Sequence, residues 1–399
     1  MTARGVDYTP STELISDLKS WRNRSFIAGL VGVAILAFGA ISDPVQFYRS
    51  YLWAYLYVVS LAVGPLAWLM LQYVTGGNWG VVIRRTCEAA ARTLPVVLIL
   101  FLPIALGIPK LYEWSDAAKV AHDPDLQHKA GYLNLPFFLG RALVYLGGWT
   151  LLGMMFNRWS KKEDAEGHNA VHGKFSRMAA PGIIFWALSV TFMSIDWVMS
   201  VDPKWFSTMF GLLFMASQGL TSMAFLITVM VMLSRRSPMG EVLTSRHLHD
   251  LGKFLLALVM VWAYFSFSQF LIIWAGNLPE EIPWYLTRIN HGWQFVALAL
   301  VFGHFALPFA LLLSRDLKRN FKLLRMIAVF VLFMRLVDLY WLVAPTFSKE
   351  SFHLSITDIG APLALIGIWL AYFFTQLGQR PLLPINNPHL EEALHHGRE

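Results

Sequence analysis

Cysteine is nearly absent from this chain: Cys87 stands alone among 399 residues. One thiol cannot build a disulfide framework, a structural zinc site or an iron–sulfur cluster, each of which takes several. Charge is scarce too. Asp, Glu, Lys and Arg make up 14% of the residues, while 56% are hydrophobic and 15% aromatic. Soluble domains carry about 25% charged residues, so a soluble domain of this length is excluded. The charge that exists leans basic, +7 at pH 7. In so apolar a chain that excess reports basic loops on one membrane face rather than nucleic-acid binding. A cleavable signal is not expected either. The first 24 residues are polar, and no small-residue cleavage site follows the first apolar run.

What is present is a series of apolar runs. They fall near 25–42, 50–73, 93–111, 135–156, 178–200, 206–233, 251–275, 291–314, 323–345 and 357–378. Each approaches or exceeds the roughly 20 residues that cross about 30 Å of hydrocarbon. The pattern predicts an all-α polytopic membrane protein with ten transmembrane helices. It divides the chain into an N-terminal segment (1–24), a transmembrane domain (25–378) and a C-terminal tail (379–399). Leu14, Ile15, Leu18 and Trp21 follow Ser11 and Thr12 at helical spacing, which predicts a separate interfacial helix. Residues 79–92 predict another, with Pro95 at the bend into the third span.

Lysine and arginine orient the spans. The N-terminal segment, the even-numbered loops and the tail hold 23 of the 32 basic residues, the odd-numbered loops hold seven, and Arg141 and Arg335 lie inside spans. The positive-inside rule then puts both termini in the cytoplasm. Of the outward loops, 112–134 is acidic and 276–290 carries Pro279, Pro283 and Trp284. Both are read as docking surfaces or loop covers.

The polar residues within the spans are the candidate chemistry. Asp196 lies in the fifth span, and an ionisable group at the bilayer centre costs about 2.5–3.5 kcal/mol on insertion scales. Such residues usually face a protein interior and mark a proton, ion or substrate path. Arg141 enters the fourth span at a matching depth, so the two can pair. Arg335 and Asp338 share a face of the ninth span at i, i+3, and His304 lies mid-way along the eighth. FMSIDW (192–197) and FMRLVDLYW (333–341) each set an aspartate and a tryptophan at the outer end of an inside-to-outside helix. Their spacing of four spans predicts two four-helix bundles, spans 2–5 and 6–9, with spans 1 and 10 peripheral. Only the eighth span carries histidines, His291 and His304, which argues against a bis-histidine haem. His168 and His172 lie in a charged inner loop with no third ligand nearby.

The segment GHNAVHGKFSRMAAPGIIFWALSVTFMSIDWVMSVDPKWFSTMFG (167–211) resembles the NrfD-like membrane subunits of alternative complex III, and most closely the second, shorter one. The resemblance covers about 45 residues as a motif, of which DWVMSVDPKWFST is the most specific part. Elsewhere it extends to the number, order and length of the spans. It implies an integral subunit of a respiratory or photosynthetic quinol:electron-acceptor oxidoreductase in a bacterial inner membrane. Its partners would be a larger NrfD-like subunit, an iron–sulfur subunit and multihaem cytochrome c subunits. Those partners would hold the haems and clusters, and this chain would hold no metal or covalent cofactor, with menaquinone or another quinone as its one candidate ligand. Asp196, Arg141, His304, Arg335 and Asp338 are the candidate proton path, and Trp197, Asp202 and Trp341 the candidate quinone pocket. No nucleic acid is implied. A second reading, a secondary transporter, also fits repeated bundles with midplane ionisable groups, and Pro181 and Pro308 fall inside spans.

Overall fold

The computed structural model describes residues 8–396, with side chains described to Leu394. All regular structure among them is helical. Composition dictates this, because a backbone crossing hydrocarbon must satisfy its N–H and C=O groups within its own segment.

Helix α1 (Thr12–Ser42) begins where Ser11 accepts a hydrogen bond from the Leu14 amide. The cap is the one expected, but the separate interfacial helix is not. Residues 12–24 continue into the first span as one 31-residue helix, since no glycine or proline interrupts the chain before Gly29. Asp43 ends α1 and, by accepting from the Gln46 amide, starts α2 (Pro44–Thr75). Every residue from Tyr51 to Leu66 of α2 is buried.

Helices α3 (Asn78–Ala91), α4 (Leu94–Ile99) and α5 (Leu102–Leu111) form one path, bent by 50° between Ile99 and Leu102. The bend is not at Pro95, which sits in the first turn of α4, a position that tolerates proline. It lies at Leu100–Phe101, just before Pro103. Proline has no N–H to offer the Ile99 carbonyl four residues back, and α2 caps two other carbonyls at the bend. Tyr55 donates its hydroxyl to the Val97 carbonyl at 3.1 Å, and Tyr51 donates to Leu100 at 2.8 Å. Helix α3 also departs from expectation. Residues 80–91 are all buried, so this is an interior helix rather than one lying on a surface.

Short helices α6 (Ala117–His122) and α7 (Pro124–Lys129) order the acidic loop, capped by Asp116 and Asp123. Then come α8 (Leu135–Glu166), α9 (Lys174–Trp197), α10 (Phe210–Leu233), α11 (Met239–Val242), α12 (Ser245–Gly276) and α13 (Ile282–Ile289). The eighth apolar run is built from α14 (Trp293–Ala299), a π segment (Leu300–Ala306) and α15 (Leu307–Leu313). Pro308 explains the π segment. It cannot donate to the His304 carbonyl and its ring crowds that oxygen, so the helix widens there. The chain closes with α16 (Arg315–Arg319), α17 (Phe321–Phe347), α18 (Ile356–Leu377) and α19 (Leu390–His396).

Among the described residues, nine helices are long and apolar enough to cross a membrane, or ten if the bent path counts as one span. The chain is an all-helical, multi-pass membrane protein. At its centre α2 packs on α10, and α9, α17 and α18 pack around them. Helix α1 lies outside and docks mainly on α18. A Cβ on Gly32 would lie 2.2 Å from the Ala364 nitrogen, and one on Gly367 would lie 2.5 Å from the Gly29 nitrogen. Only glycine allows that approach. Phe26, Ile27 and Leu30 of α1 stay exposed. Helix α18 is more deeply set than a peripheral span, because its Trp369 is fully buried and donates to the Thr93 hydroxyl at 2.8 Å.

Candidate functional site

Two charged centres lie inside the helical core. The first joins α8 to α9. Arg141 is in the second turn of α8, and Asp196 is next to last in α9. The guanidinium grips the carboxylate with both edges, Nε to Oδ2 at 2.8 Å and Nη2 to Oδ1 at 2.9 Å. Tyr145, one turn further along α8, donates its hydroxyl to Oδ2 at 2.8 Å. Arg141 also donates to the Tyr132 carbonyl at 3.1 Å and lies 3.8 Å over the Tyr132 ring. Asp196 is fully buried. Three donors therefore engage a carboxylate with about four lone-pair sites. This is a closed clamp with bidentate geometry, and the pairing expected from depth alone is present.

The second centre lies on α17. Arg335 and Asp338 form a buried ion pair at i, i+3. Arg335 Nε donates to Thr221 Oγ1 on α10 at 3.3 Å, and Trp262 Nε1 on α12 donates to Asp338 Oδ2 at 3.3 Å. His304, in the π segment, sits edge-on to Trp262 with ring centroids 4.3 Å apart. Neither of its ring nitrogens has a hydrogen-bond partner among the described residues. The five candidate path residues thus fall into two groups, Arg141 with Asp196, and Arg335, Asp338 and His304. Among the described residues no hydrogen bond links the groups.

Asp338 differs from Asp196 in one respect: it borders a space. A cavity of about 700 Å³ lies between α10, α12, α13, the π segment and α17. Its walls are mostly apolar, with Phe270, Leu300 and Phe305 among them, and its polar groups include Gln269, Tyr285 and Asp338. Tyr264, Phe267 and Val301 line the mouth and are exposed. No hydrogen bond reaches Asp338 Oδ1 among the described residues.

Trp197, Asp202 and Trp341 are not brought together. Trp341 lines the cavity and donates its indole N–H to the Arg288 carbonyl at 3.3 Å. Trp197 is buried in an aromatic cluster with Tyr55, Phe101, Tyr145 and Trp149. Asp202 borders a separate polar recess of about 200 Å³ with Arg49, Lys110 and Thr346.

Sequence reasoning missed a third charged cluster, where α3 meets the end of α8. Glu88 is fully buried between Arg84 (3.0 Å) and Arg85 (2.7 Å). Arg84 reaches on to Glu163 at 2.5 Å, and Arg85 reaches Asp164. His168 Nδ1 lies 2.9 Å from Glu163, which uses one of the two loop histidines. The tail is tied in as well, since Asn386 donates to the Glu163 and Asp164 carbonyls. The available signal is the spacing of Arg84, Arg85 and Glu88 on one helical face, which an interfacial helix at 79–92 would hold in water without partners. The three carboxylates match Arg84, Arg85 and the nearby Arg380, so the cluster is a balanced internal latch.

Compared with protein-family models and with curated protein sequences, the chain matches none.

Proposed function

We propose that this chain is a membrane subunit of a quinol:electron-acceptor oxidoreductase of the alternative complex III kind, and that it offers a quinol a site in the cavity beside Asp338. The observation that carries this reading is the cavity itself: about 700 Å³, largely apolar, open on an apolar flank and ending on a buried carboxylate. Small-molecule sites typically measure about 300–1,000 Å³, with a few polar groups fixing orientation. An opening between apolar helix faces admits a ligand dissolved in the bilayer.

The residues present fit such a ligand. Trp341, Phe270 and Leu300 offer flat or apolar surface to a ring and its tail. Asp338 Oδ1 offers an acceptor to a hydroxyl, and Arg335 balances its charge. A quinol bound there supplies two electrons and two protons. Asp338 holds the hydroxyl hydrogen, while Trp262 and Arg335 keep the carboxylate oriented. With Cys87 as its one thiol, the chain passes electrons to partners: an iron–sulfur subunit, a larger NrfD-like subunit and multihaem cytochromes c. In this reading the bent α3–α5 path is one of ten spans. Spans 2–5 and 6–9 form two four-helix bundles, and both termini face the cytoplasm of a bacterial inner membrane. Arg141 and Asp196 serve as a fixed clamp, and proton traffic belongs to the α17 centre.

A secondary transporter would line its substrate site with its helix breaks. Here the break at Leu100–Phe101 is filled by Tyr51 and Tyr55, and the π segment, which does line the cavity, offers it the apolar side chains of Leu300, Val301 and Phe305, which favours the redox reading. Purification of the tagged chain from native membranes tests it. Haem-containing and iron–sulfur proteins are expected to come with it, and Ala263→Trp, which fills the cavity, is expected to lower quinol oxidation by the assembled complex at least tenfold. A chain that purifies alone, or full activity in an assembled Ala263→Trp complex, overturns the proposal.

A further inference from the structure

The cavity has a second polar group, seven residues (about 10 Å) along α12 from Trp262, that the Arg335–Asp338 pair does not explain. Gln269 on α12 and Tyr285 on α13 both line it. Gln269 Oε1 accepts from the Ser207 hydroxyl at 3.2 Å, and its Nε2 donates to the Tyr285 oxygen at 3.3 Å. The amide is placed with its oxygen toward Ser207 and its N–H toward Tyr285. Tyr285 is therefore an acceptor toward Gln269, and its own hydrogen has no acceptor among the described residues. Burial pushes the Tyr285 hydroxyl up to about 12, against the opposing pull of the Gln269 hydrogen bond. It is a donor at physiological pH.

The helix that carries Tyr285 is held firmly. Arg288, one turn along α13, is buried and donates to the Leu342 carbonyl at 2.7 Å and the Thr346 hydroxyl at 2.9 Å. Its guanidinium lies 3.5 Å over Trp284, which stacks on Trp205 with centroids 4.4 Å apart. The donor is thus set in place before any ligand arrives, and such preorganisation lowers the cost of binding.

We propose that Tyr285 is the second anchor of the ring and that the site selects the reduced ring over the oxidised one. This rests on the quinol reading of the cavity. One end presents a donor, Tyr285 O–H, and the other an acceptor, Asp338 Oδ1. A 1,4-quinol satisfies both, because one hydroxyl oxygen accepts from Tyr285 and the other hydroxyl donates to Asp338. A 1,4-quinone has only acceptors, so its second carbonyl would meet the carboxylate with no hydrogen between them. A buried acceptor left without a donor is penalised more heavily than a made bond is rewarded. Oxidised product would therefore leave readily, and a fatty acid would be turned away by its own negative charge.

The test uses the full chain in lipid nanodiscs, titrated anaerobically with duroquinol and, separately, with duroquinone. Wild type is expected to bind the quinol at least tenfold more tightly. Tyr285→Phe is expected to weaken both ligands by the same factor, about 2- to 10-fold for one neutral hydrogen bond. Gln269→Leu should act in the same direction, and Tyr372→Phe, on α18 and outside the cavity, should change nothing. Asp338→Asn is expected to erase the preference for the quinol. Unaltered binding in Tyr285→Phe, or equal wild-type affinity for the two ligands, overturns this inference and leaves the cavity assignment standing. Wild-type protein that binds neither ligand overturns both.

Discussion

Arg141 and Asp196 show what one side chain can decide in this fold. The carboxylate is fully buried and the guanidinium nearly so, with 16% of its side chain exposed. Removing the cation would strand the anion, and breaking a buried pair in this way costs about 3–5 kcal/mol. Arg141→Gln is therefore expected to lower the thermal midpoint in detergent well below that of Tyr145→Phe, which loses one hydrogen bond of about 0.5–1.5 kcal/mol. Equal midpoints for the two variants would contradict the clamp. Asp123 provides a pH test away from the spans. The Lys204 ammonium, hydrogen-bonded at 2.9 Å, holds its carboxyl below the usual 3.8. A depressed acid stabilises the fold above its unfolded value and loses that contribution as pH falls through the folded one. Hydrogen exchange in residues 117–129, corrected for intrinsic rates, is expected to be slow at pH 5 and faster at pH 3, with the difference reduced in Lys204→Gln, where the cap to the Asp125 amide remains. Residues 141 and 196 were legible because depth along two successive spans fixes their meeting. Glu163 was not, because it is charged in sequence and paired with Arg84 only across α8 and α3, and Glu88, whose two arginines lie on its own helix, carries no sign that this helix is interior.

At the scale of elements, the spans themselves could be read from the sequence because apolar length is a local property. Where a helix stops or bends is less local. Pro95 carries the same sequence signal as Pro103, yet only the second sits beside a real bend, and the tyrosines that settle the matter belong to α2. The start of α1 likewise lacked any interruption that would divide a surface helix from a span. The α1–α18 crossing is a matter of elements alone. Gly32→Leu is expected to separate the two helices, because no rotamer of leucine fits a backbone 2.2 Å from its Cβ. Disulfide trapping between cysteines placed at Ser25 and Ile368 on the two helices should fall from efficient in the parent to minimal in the variant. Unchanged trapping would mean that the helices tolerate a wider approach.

The cavity belongs to the whole molecule. Its lining comes from α10, α12, α13, the π segment and α17, so no stretch of sequence announces it. Asp338 and Trp341 could be singled out from their span, but Gln269 is one polar residue among several in its own, beside Ser266 and Ser268, and Tyr285 lies in a loop. The two membrane-embedded charge pairs, Arg141–Asp196 and Arg335–Asp338, have a collective consequence. A field of 100 mV does about 2.3 kcal/mol of work on one elementary charge carried across the bilayer. Each pair sums to zero, so voltage exerts a torque on it but no net pull. Neither pair therefore gives a change in membrane potential a net charge to move.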